Sequence, residues 1–393
     1  MKRITATVYI IMCMLFALSA QDSIPIPNVP GIRIGTNRLD IPGSRERFDS
    51  LLCCLRDNDT RLNILHIGGS HVQAGIFSHR LRENIGASRG MLFPWKAIRS
   101  NAPADYSITS SGTWDKSRCL ESSPTEQFGM SGAAAITSDS LASFQLMLPA
   151  KYAFRRLHVI GKAEGGAEPY LVCNSGDTLE AERKGDDFIF SLDKPDSLCT
   201  IAWREMKDSA RFVLRGIFPE GGQRITYSES GVNGASVPSW LRCELLAEEL
   251  SLLCPPDLVI MGIGINDANV PFSHFDAEAF KASYRNLMNE IRKANPNACF
   301  LFITNNDCWL RAGRQRRVLN RNTQKVEQAM MDLARECDGA VWNQFRIMGG
   351  YGSSNHWVNA RLMNRDHIHF LRAGYELLAD LLYNALVTSE LEH

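Results

Sequence analysis

Followed from the N-terminal side, the spacing of apolar positions falls into three regimes. Phe48 to Leu55 is amphipathic, Leu62, Ile64, Leu65 and Ile67 form a strand-like run, and Phe77, Leu81 and Ile85 then recur at helical spacing within 74–86. From 99 to 222 the runs shorten. β-like stretches at 143–148, 154–160, 169–173, 187–192, 197–203 and 210–218 are separated by clusters of Gly, Asp, Pro and Ser, the pattern of an antiparallel sandwich or barrel. After 222 strands and helices alternate: strand 224–229, helix 239–253, strand 257–263, helix 276–294, strand 298–303, helix 318–337, strand 339–342 and helix 372–387. Such alternation predicts an α/β fold with a parallel sheet. The apolar run Leu258-Val259-Ile260-Met261 suits a central strand covered on both faces. The β-rich block thus reads as an insertion between the first helix and the second strand of one α/β domain.

Composition adds little to that picture, and charge narrows the partners. The 393 residues are 45% hydrophobic and 22% charged, ordinary values for a globular chain. Forty-three basic residues balance 43 acidic ones, so bulk charge attracts neither nucleic acid nor an anionic membrane. Lys2 and Arg3 precede an apolar run from Val8 to Leu18 that ends in small residues at Ala20, which predicts a signal peptide over 1–20 and an exported, periplasmic or secreted protein. The run is too short for a stable membrane anchor, and no later segment resembles a span. Ten cysteines follow the signal without a C-x-x-C pair, so no structural zinc site is expected and disulfide pairing stays open.

Candidate chemistry gathers at the predicted strand ends. Gly68-Gly69-Ser70 follows the first strand, Gly231-Val232-Asn233-Gly234 the second, and Gly262-Ile263-Gly264-Ile265-Asn266-Asp267 the third; Asp366-His367-Ile368-His369 precedes the last helix. Ligands of open parallel sheets bind beyond the carboxyl ends of the strands. A serine, a histidine, an acid and Gly- and Asn-bearing loops on that edge supply a nucleophile, a base, its orienting acid and oxyanion donors. Ser70 also has a plainer reading as a helix N-cap, since a serine oxygen satisfies free N–H groups of a first turn.

These blocks, in this order, closely resemble the SGNH (GDSL) hydrolase superfamily, over about 65–98 and 226–388. Within it, "IGGSHVQAGIFSHRLREN", "GVNGAS" and the inserted block are most similar to peptidoglycan O-acetylesterases with a carbohydrate-binding-like β module. The resemblance implies a flavodoxin-like three-layer α/β/α parallel sheet at 21–98 and 223–393, interrupted at 99–222 by an antiparallel β-sandwich domain. It implies Ser70, His369 and Asp366 as catalytic triad, an oxyanion hole of the Ser70 and Gly234 N–H groups and the Asn266 side chain, and no metal or cofactor. The implied substrate is an O-acetylated polysaccharide, peptidoglycan or another glycan. Gly69 departs from the family, which carries aspartate before the nucleophile.

Other residues have dual readings. His71 is a candidate substrate contact or a loop filler, and His367 competes with His369 as the base. Asp267 reads as a turn or cap residue. Trp95, Trp309 and Trp357 are sugar-stacking platforms or packing, and Arg314–Arg317 reads as a solvated helix start. Three alternatives to peptidoglycan deacetylation stay open: esterase action on a different glycan, acetyl transfer to another sugar, and a glycan-binding pseudoenzyme marked by Gly69.

Overall fold

The computed structural model describes residues 23–57, 59–203, 209–311 and 317–389, so the segment read as a signal peptide lies outside the described residues. One sheet contains β1 (Leu39–Asp40), β2 (Leu62–Gly68), β3 (Ser88–Arg89), β4 (Ile225–Gly231), β5 (Leu258–Gly262), β6 (Cys299–Ile303) and β7 (Ala340–Trp342). Their spatial order is β1-β7-β6-β5-β2-β4-β3. Edge strand β1 runs antiparallel to β7; every other pairing is parallel.

Successive side chains of a strand face opposite ways, and here they enter two cores. Leu65, Ile67, Val259 and Met261 pack with Leu246, Leu250, Tyr284, Leu287, Met330 and Leu333 from the helices of one face. Leu62, Ile64, Leu258 and Ile260 pack with Leu52, Leu81, Leu378 and Leu382 from the other. The result is a three-layer α/β/α arrangement, and burial on both faces is why β5 carries no polar alternation.

The β-rich block forms two sheets whose pairings are all antiparallel. Its longest strands, Phe154–Glu164, Asp187–Asp196 and Arg211–Gly221, lie in the six-stranded sheet. Phe144 and Trp203 of the five-stranded sheet close the core against Phe212 of the other, with the Trp203 and Phe212 rings 5.1 Å apart. That core continues into the α/β part: Phe128 and Met130 pack in the same cluster as Trp240, Leu246 and Leu250. Arg215 of the block bridges Asp186 at 3.0 Å and Glu249 of helix Leu246–Leu253 at 2.7 Å.

Several expected helices are shorter than their periodicity. The 239–253 pattern splits into Val237–Trp240 and Leu246–Leu253, where the Leu245 N–H donates to Phe128 O of the inserted block. The 74–86 pattern begins at Ile76, because Gly75 at φ +70° ends the preceding turn. The 318–337 helix starts at Asn322. The expected helix start at Arg314–Arg317 is corrected at its last member: Arg317 opens strand Arg317–Leu319, paired with Trp309–Arg311, and 314–316 lie outside the described residues. Among the described residues the ten cysteines are free, no group of His, Cys, Asp or Glu has the makings of a metal site, and no helix is long and apolar enough to cross a membrane.

Candidate active site

Strands β2, β4 and β5 end level with one another at Gly68, Gly231 and Gly262. The one-turn helix Ser70–Gln73 sits directly on these ends. A Cβ at Gly68 would collide with Val72, and one at Gly231 with the backbone at Gln73. Glycine at these two positions lets the turn lie against the sheet and holds Ser70 at its carboxyl edge.

The Ser70 side chain does not cap its helix; Gly69 occupies the cap position without a side-chain bond. Ser70 Oγ instead lies 2.9 Å from His369 Nε2, and His369 Nδ1 lies 2.8 Å from Asp366 Oδ2. With Nδ1–H donated to the carboxylate, Nε2 is left to accept the serine hydroxyl. Asp366 Oδ1 accepts the N–H groups of Ile368 at 2.9 Å and His369 at 3.0 Å, so a short loop folds around its own carboxylate. Partial burial opposes the Asp366 charge, but the His369 and backbone hydrogen bonds prevail and hold its carboxyl well below the usual carboxylate range.

The oxyanion candidates belong to two loops that are tied together. Asn266 Nδ2 donates to Ala235 O at 2.8 Å, which leaves its second amide hydrogen for another acceptor. Asp267 accepts the Val237 N–H at 3.1 Å, at the start of helix Val237–Trp240, so it acts as a cap. Burial pushes the Asp267 carboxyl up to about 6. Gly234 immediately precedes these attachments in left-handed conformation, φ +82°, with nothing within 4 Å of the place a Cβ would occupy. Ser70, Asn101, Gly234, Asn266 and His369 line a cleft of about 520 Å³, and among the described residues none of its lining is an acid, lysine or arginine. A Cβ at Gly69 would stand 3.4 Å from both Asn266 Nδ2 and Ala235 O.

The other candidates separate. His71 Nδ1 lies 2.9 Å from the Tyr375 hydroxyl, and the ring borders an inner cavity of about 50 Å³ instead of the cleft. Burial, with His369 nearby, lowers its pKa to about 3 and keeps it neutral. His367 is 3.3 Å from Ser354 Oγ and rests against Trp309 at 5.1 Å. Trp95 and Trp357 are buried in the cores, 6% and 1% exposed, which removes them as stacking platforms; Trp309 is half-buried. Sequence reasoning missed Asn101, Gln73 and Tyr375. Gln73 and Tyr375 sit near the motifs and Asn101 does not, and only long-range contacts give them a place at the site.

Residues 207–377 match the GDSL-like lipase/acylhydrolase family model. The fold superposes on a solved peptidoglycan O-acetylesterase with a TM-score of 0.72 and 22% identity, over 88% of this chain and 97% of that one. The first match covers less than half of the chain, and the second shows a shared fold. The region matched by the family model holds Gly234, Asn266, Asp366 and His369, while Ser70 precedes the inserted strands. An acetyl xylan esterase is similar at 19% identity over 41% of this chain and 81% of its own, with a TM-score of 0.33. A family two carbohydrate esterase from Cellvibrio japonicus is 11% identical over 59% and 86%, with a TM-score of 0.22. A search of curated proteins found no match.

Proposed function

We propose that this protein is an exported serine esterase that removes O-acetyl groups from a polysaccharide, with peptidoglycan as the favoured substrate. The observation that carries the reading is the continuous relay from Ser70 Oγ through His369 to Asp366, opening on a cleft with amide donors. Ser70 Oγ attacks the acetyl carbonyl while His369 Nε2 takes its proton, and Asp366 favours the imidazolium that forms. The negative oxygen of the tetrahedral intermediate is met by the N–H groups of Ser70 and Gly234 and by the Asn266 amide. The Ser70 N–H has no intrahelical acceptor because it opens a helix. His369 returns the proton to the departing sugar hydroxyl, leaving acetyl-Ser70. Water, deprotonated by His369, releases acetate and restores the serine.

The uncharged cleft wall suits a neutral, hydroxyl-rich sugar, and the fold likeness to a peptidoglycan O-acetylesterase favours that glycan. In this reading 21–98 and 223–393 form the catalytic domain, and 99–222 form a module that holds the polymer. The test measures acetate release from O-acetylated peptidoglycan beside hydrolysis of p-nitrophenyl acetate. Activity on both, lost in Ser70→Ala with the fold intact, is the expected result. A wild-type protein inert on both, with glycan binding unaffected by Ser70→Ala, would establish the pseudoenzyme instead.

A further inference from the structure

Three segments far apart in the chain meet on one buried amide. Gln73 closes the one-turn helix that Ser70 opens, and it is 2% exposed. Its Oε1 accepts the N–H of Asn233 at 2.6 Å, and its Nε2 donates to Ser100 Oγ at 2.7 Å and Asn101 O at 2.9 Å. Asn233 immediately precedes Gly234, and its own side-chain amide donates to Asn101 Oδ1. Residues 100–105, which lead into the inserted sheets, are fastened at two further points. Pro103 packs so closely on Gly75 that a Cβ there would collide, and Asp105 makes buried ion pairs with Arg82 and Arg89.

The geometry points to Gln73 as a positioning residue for ester hydrolysis, its amide setting the Gly234 loop relative to Ser70, with Asn101 of the insertion lead closing the same clasp. This rests on the esterase reading above. Ser70 and Gly234 lie on separate loops, and an oxyanion hole works only when its donors are fixed before charge develops. One side is held through Ala235 and Val237 by Asn266 and Asp267; the other is held through Asn233 by Gln73. An apolar residue at 73 would leave the Asn233 N–H without this acceptor and free the loop to drift. Because the hole is used fully only in the transition state, the loss should fall on kcat and spare KM.

The experiment compares Gln73→Leu, Gln73→Glu and Asn101→Ala in the full chain, reading kcat and KM on p-nitrophenyl acetate, the thermal midpoint, and Ser70 labelling by a fluorophosphonate. Gln73→Leu is expected to lower kcat roughly 10- to 100-fold with KM little changed. Gln73→Glu keeps an acceptor for the Asn233 N–H and should recover part of that loss. Asn101→Ala, on the cleft wall, should lower kcat less, and it decides the matter should Gln73→Leu fail to fold. Wild-type kcat in a folded Gln73→Leu, or in Asn101→Ala where the leucine variant is unfolded, overturns the assignment. A wild-type protein that neither hydrolyses the ester nor labels overturns the esterase reading itself.

Discussion

Among the described residues two Asp–His pairs stand at the same distance, one on the α/β sheet edge and one in the β-rich block, and their second nitrogens meet different partners. On the α/β sheet edge His369 Nδ1 meets Asp366 at 2.8 Å and its other nitrogen meets Ser70. In the inserted block His158 Nδ1 meets Asp187 at 2.8 Å, but its other nitrogen meets a second carboxylate, Glu220, also at 2.8 Å. Burial disfavours a charged His158, yet the two carboxylates outweigh burial and raise its pKa. Gripped at both nitrogens, His158 is a structural ion pair with no free lone pair to act as a base. His369 has one nitrogen oriented and the other turned to a hydroxyl in an open cleft. An acid beside a histidine is therefore an incomplete signature, and the partner of the second nitrogen decides between support and catalysis.

The widest separation of the two should appear in activity. Replacing His369 or Ser70 by alanine should lower kcat on p-nitrophenyl acetate by roughly 10⁴-fold or more. His158→Ala should leave that rate intact and cost about 3–5 kcal/mol of stability, because it strips one partner from a buried ion pair. Equal loss of rate in folded His158→Ala and His369→Ala would dissolve the distinction. Next in size, Asn266→Ala should reduce kcat by roughly 10²–10³-fold in steady-state assays through loss of one oxyanion donor.

A third measurement separates the pairs by pH. His158 has a folded pKa above the ordinary value of 6.5, so its stabilisation is complete below that value and is lost as pH rises through the folded pKa. Chemical denaturation from mildly acidic to alkaline buffer should show that decline in the wild type and a flatter profile in His158→Gln. An unchanged profile in the variant would mean that His158 is not the source. The smallest effects concern neighbours of Ser70 and His369. His367→Ala should change turnover little, since that ring rests on Ser354 and Trp309. Gly69→Asp should give activity equal to or above wild type, because a Cβ there has room beside Asn266; a large fall would show that glycine is required.

Much of this was readable before folding, for local reasons. Strand β5 announces itself because burial on both faces demands unbroken apolar residues, and Asp366 and His369 are close enough in sequence for one loop to pair them. The ends of the helices were less legible. Residues 241–245 keep helical periodicity, but the Leu245 N–H is taken by Phe128 from the inserted block. Likewise, strand Arg317–Leu319 is held beside the Asp366–His369 loop by an Arg317 bond to Arg365 O at 2.9 Å, a partner no local pattern announces.

By itself the sequence determined the alternation of the main strands and helices and the residue types at their ends, because these follow from periodicity and turn chemistry within a few residues; the short edge strands Leu39–Asp40 and Ser88–Arg89 appear only in the folded sheet. Tertiary structure decided which of two histidines in Asp366-His367-Ile368-His369 faces Ser70, and it turned His71 toward Tyr375. It also made Gln73 the meeting point of three segments. Each of those outcomes depends on the direction a side chain takes once distant backbone is packed around it, and direction at that range is a property of the packed core, not of neighbouring residues in the chain.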